Sequence, residues 1–308
     1  MTKDSTALFT SLDDPCIPLL LELAPAVTEM EHGGRSFIEH LIGTWWILNQ
    51  WKQPRFICRA GLLHSCYSTS FYPHALFSLS ERTRVRSIIG ARAETLAYRF
   101  CVIDRAELWA KVATLSSLPQ TLAVPRIDRD GCMSLSKLTM QKVLLIECAN
   151  LAEQSADADG SPAEWMARVI SWSRLLPSGT LPFQFKAGID LTTAAEKRAL
   201  RSYHSISSAP IQTVPPLLDE VIRLNPWAGE PRLLRALHFL ERHENERAFS
   251  DAMQGHSLLS AWSVAWDKRW SLNRWLSLSN AILNKVIGVN HHRNDSLTLK
   301  AVRRALTA

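Results

Sequence analysis

Apolar residues recur three and four positions apart along most of the chain, and the strict alternation of half-buried strands is nearly absent. This pattern predicts an all-α protein, with helices over residues 16–31, 35–51, 54–67, 81–102, 104–117, 136–154, 163–175, 192–206, 211–224, 230–242, 245–266 and 268–288. Two stretches interrupt it. PQTLAVPRIDRDGCMS, from Pro119 to Ser134, carries prolines and an Asp-Gly step and reads as a long connection of the kind that often covers a site. SADADGSPAEW, from Ser155, breaks the helical pattern at Gly160 and Pro162, and Ser161 can cap a helix opening at Pro162.

A domain boundary is expected at that second break. The resulting division is an N-terminal helical segment (1–34), a helical domain (35–154), a linker (155–163), a Trp-rich helical domain (164–290) and a C-terminal tail (291–308). Seven of the eleven tryptophans lie between Trp165 and Trp275, a span that contains an irregular surface segment, RLLPSGTLPFQFKAGIDLTT. Within the later half, NPWAGEPRLLRALHFLERHENERAFSDAMQGHSLLSAW contains two helical patterns joined by a short polar turn. It has roughly the size of one tetratricopeptide-like unit, but no second copy follows.

Composition narrows the partners. The chain has 308 residues, 46% hydrophobic and 21% charged, an ordinary globular balance with ample core. The net charge of +6 comes from scattered basic residues and gives no nucleic-acid footprint. Cysteines 16, 58, 66, 101, 132 and 148 form no CxxC pair and read as reduced, mostly buried thiols. With no signal-peptide core and no long apolar run, a cytoplasmic protein that neither enters nor crosses a membrane is expected.

The chemistry concentrates in EHLIGTWWILNQWKQPRFICRAGLLHSCYSTS, where His40 and His64 stand 24 residues apart on two helices joined by a short turn at Gln53-Pro54. An antiparallel pair brings such positions to one end of the hairpin. His40, Gly43 and Ile47 share one helical face, with Gly43 small enough for a neighbouring helix to come close. Phe56, Ala60, Leu63 and Tyr67 form an apolar stripe beside His64. A lone histidine there is a satisfied interior residue; two on facing helices can hold Zn, Fe or Mn.

The pattern H-x-x-G-T-x-x-I-L, a short turn, and A-G-L-L-H resembles the opening of the HD-domain superfamily of metal-dependent phosphohydrolases. It is most similar to guanosine tetraphosphate hydrolase domains of RelA/SpoT type. ERTRVRSIIGARAETLAYRF and MQKVLLIECANLAEQ resemble later segments of that family, so the likeness spans roughly residues 35–154. It implies an HD-like helical bundle with His40, His64 and Asn150 at metal-ligand positions, and a divalent cation, Mn, Fe or Zn, as cofactor. Two family aspartates are replaced, by Ser65 and Asn150, and the family's next acidic pair by Ser68 and Thr69. Without those anionic ligands hard Mn or Mg is held weakly, and activation of bound water weakens with it.

Glu94, Asp104, Glu147 and Glu153 are acids on helices that the resemblance places around the same bundle. Of these, Glu94 is the candidate base, the alternative being an exposed acid paired with Arg92 or Arg99. Asp104 is a pocket candidate, the alternative being a helix N-cap; Ser65 is the other pocket residue. Arg82, Arg84 and Arg86 diverge around a helix and read as a solvated basic face. His291 and His292 lie on a polar terminal segment, and Cys66 reads as a buried structural thiol. No P-loop, GxGxxG, HExxH or GxSxG occurs. Two functions are therefore expected: a divergent HD-like metalloenzyme acting on a small molecule by hydrolysis or iron-dependent oxidation, or a non-catalytic helical scaffold with a degenerate pocket. The second domain is a possible surface for a protein partner.

Overall fold

The computed structural model describes residues 14–32, 35–182, 190–288 and 298–307. Helices dominate the described residues, fourteen in all, with two small antiparallel hairpins. Two compact units divide the chain between Gln154 and Ser155, and Trp172–Leu181 returns to the first.

The first unit contains α1 (Cys16–Leu23), a short hairpin β1 (Glu31–His32) and β2 (Arg35–Ser36), α2 (Phe37–Gln50), α3 (Arg55–Leu62), α4 (Arg82–Ile89), α5 (Ala91–Val102) and α6 (Arg105–Ala113). A second hairpin, β3 (Thr121–Pro125) and β4 (Cys132–Ser136), leads into α7 (Lys137–Gln154). Helix α7 is the axis of the unit. From residue 143 to residue 153 every position is buried, because α2, α3 and α5 all pack on it. A helix enclosed on every side is expected to be apolar throughout, and the three polar residues in this stretch, Glu147, Asn150 and Glu153, therefore all need partners inside the bundle.

Several boundaries differ from the sequence pattern, each for a local reason. The helix expected over 81–102 breaks at Gly90, whose φ of 87° an L side chain would resist. The helix expected to run to residue 67 stops at Leu62, so His64 sits in the turn that follows it. The connection expected around residues 118–134 is instead the five-residue β3–β4 ladder, with Leu122 opposite Leu135 and Val124 opposite Met133. Described residues of the N-terminal segment bond to the helices of this unit: Cys16 Sγ donates to the Ile88 carbonyl at 2.8 Å, and Asp14 receives Arg59. All six cysteines are free, and only Cys132 is exposed.

The second unit comprises most of α8 (Met166–Ser173), then α9 (Thr193–Ser205), α10 (Val214–Leu224), α11 (Glu230–Glu241), α12 (Asn245–Trp262), α13 (Leu272–Val286) and α14 (Leu299–Leu306). Successive helices from α9 to α13 pack as hairpins. At the α11–α12 crossing, a Cβ added to Gly229 would lie 2.7 Å from the Gly255 carbonyl oxygen, so only glycine allows the approach. Tryptophans fill the interior, with Trp165 edge-on to Trp262 and Trp270 tilted against Trp275, both at 4.9 Å. Buried carboxylates supply the polar joints. Glu196 accepts the amide N–H groups of Trp165, Met166 and Ala167 at the start of α8, the capping role that the sequence suggested for Ser161. Described residues of the expected linker and tail bond within this unit: Gly160 accepts Lys268 N–H at 2.9 Å, and Trp270 donates to Ala305 in α14. His291 and His292 lie outside the described residues, as does part of the irregular segment before α9.

Candidate functional site

Three elements bring four polar side chains to one point in the first unit. His40 comes from the second turn of α2, His64 from the turn after α3, and Asn150 and Glu153 from adjacent turns of α7. His40 and His64 are both 0% exposed, and Asn150 is 1% exposed. The imidazole Nε2 atoms stand 3.2 Å apart, and the Asn150 Oδ1 atom lies 2.9 Å from His64 Nε2.

The far side of each ring fixes this arrangement. His64 Nδ1–H donates to the Gly61 carbonyl at 2.7 Å, and His40 Nδ1 contacts the Glu153 carboxylate. With both Nδ1 positions so engaged, both Nε2 atoms face inward. That is how proteins orient metal-ligating histidines, by tying the non-ligating ring nitrogen to a carbonyl or carboxylate. Burial pushes the His64 pKa well below its usual value, with the neighbouring His40 adding to the shift, so His64 is neutral.

Two glycines create the space. A Cβ on Gly61 would fall 2.3 Å from Leu48 Cδ1, so its absence lets α3 lie against α2. A Cβ on Gly43 would fall 2.7 Å from Glu153 Cγ, so its absence lets the carboxylate reach His40. Phe100 presents itself edge-on to His64 at 5.3 Å, and Cys101 Sγ donates to the His64 carbonyl. One turn before Asn150 on α7, Glu147 meets Arg105 at 3.1 Å; both are buried. The Arg105 guanidinium lies over the rings of Phe71 and Phe100 at 4.9 and 4.8 Å.

The remaining sequence candidates lie elsewhere. Glu94 is fully buried rather than exposed, and its partners are neither Arg92 nor Arg99. Arg82 donates to it at 2.5 and 3.0 Å, Arg86 at 3.0 Å and the Tyr67 hydroxyl at 3.1 Å. Burial opposes its charge, but the two guanidinium groups outweigh that and hold its carboxyl below the usual range. A carboxylate so saturated is a poor base. The supposed basic face thus divides: Arg82 and Arg86, one turn apart, grip Glu94, while Arg84 binds Glu81. Asp104 caps α6, accepting N–H from Ala106 and Glu107 at 3.0 and 3.2 Å. Ser65 is buried beside His64, and its carbonyl accepts the N–H of Ser68.

Glu153 is the site residue that sequence reasoning undervalued. Its signal was the spacing Glu147-x-x-Asn150-x-x-Glu153 in an otherwise apolar run, which repeats on nearly one face. Among the described residues no group of three or more His, Cys, Asp or Glu side chains is placed to hold a metal ion, and the third inward donor here is an amide.

Residues 21–105 match the family described as a domain of unknown function (DUF6817). This span contains His40, His64, Glu94 and Arg105 but stops short of Asn150 and Glu153. No curated protein matches the chain, and no solved structure does.

Proposed function

We propose that the first unit is a divergent HD-like domain that binds one divalent transition-metal ion through His40, His64 and Asn150 and uses it on a small molecule such as a phosphate ester. The observation that carries the reading is the inward convergence of three acceptor atoms. Nε2 to Nε2 is 3.2 Å and Nε2 to Oδ1 is 2.9 Å, while the Asn150 Nδ2 has no hydrogen-bond partner among the described residues. Acceptors facing one another repel, and a cation between them removes the repulsion. Donors bound to one ion at about 2.0–2.1 Å stand roughly 2.8–3.4 Å apart, from right-angled to tetrahedral arrangement, which is compatible with this spacing.

Two imidazoles and an amide form a neutral set. It suits Zn or Fe rather than Mn or Mg, which require anionic oxygen ligands. When bound, such an ion polarises a substrate oxygen as a Lewis acid. The chain's own residues orient the ligands: Glu153 and Gly61 hold the rings, and Phe100 covers His64.

One observation favours the non-catalytic scaffold instead, namely the complete burial of both imidazoles. Turning the Asn150 amide places its N–H on His64 Nε2, and a single proton shared along Glu153, His40 and His64 then satisfies the chain of contacts without an ion. The two readings separate by metal content. Zn, Fe and Mn are titrated separately into chelator-treated full-length protein, beside a His40→Ala, His64→Ala double variant, with bound metal counted by elemental analysis. The metal reading expects one equivalent of Zn or Fe, weaker Mn, and loss of both in the variant. Absence of stoichiometric binding by any of the three overturns it and leaves the scaffold. The second unit, a stack of helical hairpins, is the candidate surface for a protein partner under either reading.

A further inference from the structure

At the N-terminal end of α3, about 12 Å of helix away from the turn that carries His64, the first unit has a cleft of about 300 Å³. Arg55, Phe56 and Arg59 line one wall, and Gly90, Ala91 and Arg92 the other. Three arginines face this space. The nearby carboxylate is Asp14, which takes Arg59 at 3.0 Å and Arg55 at 3.5 Å.

The cations here are crowded. Arg92 stacks on the Phe56 ring at 3.6 Å, and Lys142 Nζ lies 5.5 Å from the same ring. Among the described residues neither Arg92 nor Lys142 has a carboxylate in salt-bridge range, although Glu94 is two residues from Arg92 and is committed to Arg82 and Arg86. Burial lowers the Lys142 pKa, and repulsion from Arg92 and Arg99 lowers it further. Asp14 offsets Arg55 and Arg59, but the positive charge of Arg92 and Lys142 adds to theirs, and this local excess is relieved by an anion. Helix α5 also opens into this space, with Gly90 at its cap and no side chain capping it.

We infer that this cleft binds a small phosphate-bearing anion, gripped by the Arg55 and Arg92 guanidinium groups. A planar guanidinium meets two phosphate oxygens at once, and its charge-assisted bonds are the stronger kind. The volume of about 300 Å³ suits a phosphate or diphosphate group with a small attachment. The inference rests on its own residues and is independent of the histidine pair.

The experiment is calorimetric titration of the full-length protein with orthophosphate, pyrophosphate and a nucleoside diphosphate at fixed ionic strength. Saturable pyrophosphate binding is expected, weakened about tenfold or more in an Arg55→Gln, Arg92→Gln variant. It should be unchanged in a charge-matched Lys111→Gln, Arg129→Gln control, and also in the His40→Ala, His64→Ala variant. Tighter binding of the nucleoside diphosphate than of pyrophosphate would identify an organic phosphate as the ligand, and the reverse order a free inorganic one. Arg92→Gln alone, at an exposed position, provides the measurement should the double variant fail to fold. Three results each overturn the inference: no saturable binding of any phosphate, equal binding by the arginine variants, or binding of a single-stranded oligonucleotide where pyrophosphate does not bind.

Discussion

Replacing Gly43 by alanine should destabilise the first unit, and should stabilise it once Glu153 is also cut back. In isolation the change favours the helix, because glycine in a helix interior is about 0.5–1 kcal/mol worse than alanine. Here the new methyl would lie 2.7 Å from Glu153 Cγ, 2.9 Å from Oε1 and 3.1 Å from Cδ, and no other side chain ranks among its three nearest contacts. Glu153 must therefore move, and moving it pulls the carboxylate from His40. Overpacking of this kind costs about 1–3 kcal/mol, and a charged hydrogen bond contributes about 1.5–3 kcal/mol. Against the helical gain, Gly43→Ala should cost about 2–3 kcal/mol net.

In a Glu153→Ala background the clashing atoms are gone. The same substitution should then stabilise by about 0.5–1 kcal/mol, giving a coupling of roughly 3 kcal/mol between the two positions. Native-state amide exchange in α2 and α7 reads the first unit on its own, where a single melting curve would mix two units. Equal costs for Gly43→Ala in the two backgrounds would refute the reasoning, since they would place its effect somewhere other than the carboxylate.

Three further outcomes are expected. Asn150→Asp adds an anionic donor 2.9 Å from His64 Nε2, so Zn affinity should rise about tenfold or more; unchanged affinity by competition titration would argue against Asn150 as a ligand. In the second unit, burial pushes the Glu230 carboxyl from 4.5 up to about 7, with Asp267 adding to the shift and backbone donors opposing it. A raised carboxyl pKa means that the folded state holds the proton more tightly, so this contribution is complete below about pH 4.5 and is lost as pH rises through about 7. Its full size is on the order of 3 kcal/mol, and Glu230→Gln should flatten that part of the urea-midpoint profile; an unchanged slope between pH 5 and 8 would exclude Glu230 as its source. Arg105→Met should cost about 3–5 kcal/mol by leaving Glu147 buried and charged, whereas Arg105→Met with Glu147→Leu should recover most of it; equal instability of single and double variants would show that the pair is not the cause.

The helical architecture was legible because burial imposes a 3.6-residue period wherever one face of a helix is covered, and most helices here have such a face. The β3–β4 hairpin was hidden by its brevity and by Pro125, which counts against a strand in sequence and is tolerated at the end of one in the fold. The histidine pair was legible from hairpin geometry alone, since a 24-residue separation across a tight turn sets both near one end. What surrounds the pair was not. Glu94 looked costly to bury in ARAETLAYRF, and that argument was right about cost but silent about which cations would meet it. Arg82 and Arg86 come from the preceding helix after a break that one glycine creates. Glu153 stood among the acids around the bundle but was not singled out, because the sequence does not show that the missing side chain of Gly43 lets its carboxylate reach His40. Partner identity in a buried polar cluster depends on contacts between helices, which local spacing cannot encode. Within one helix it can, and the three-residue spacing of Glu147, Asn150 and Glu153 pointed at the bundle centre as firmly as either histidine.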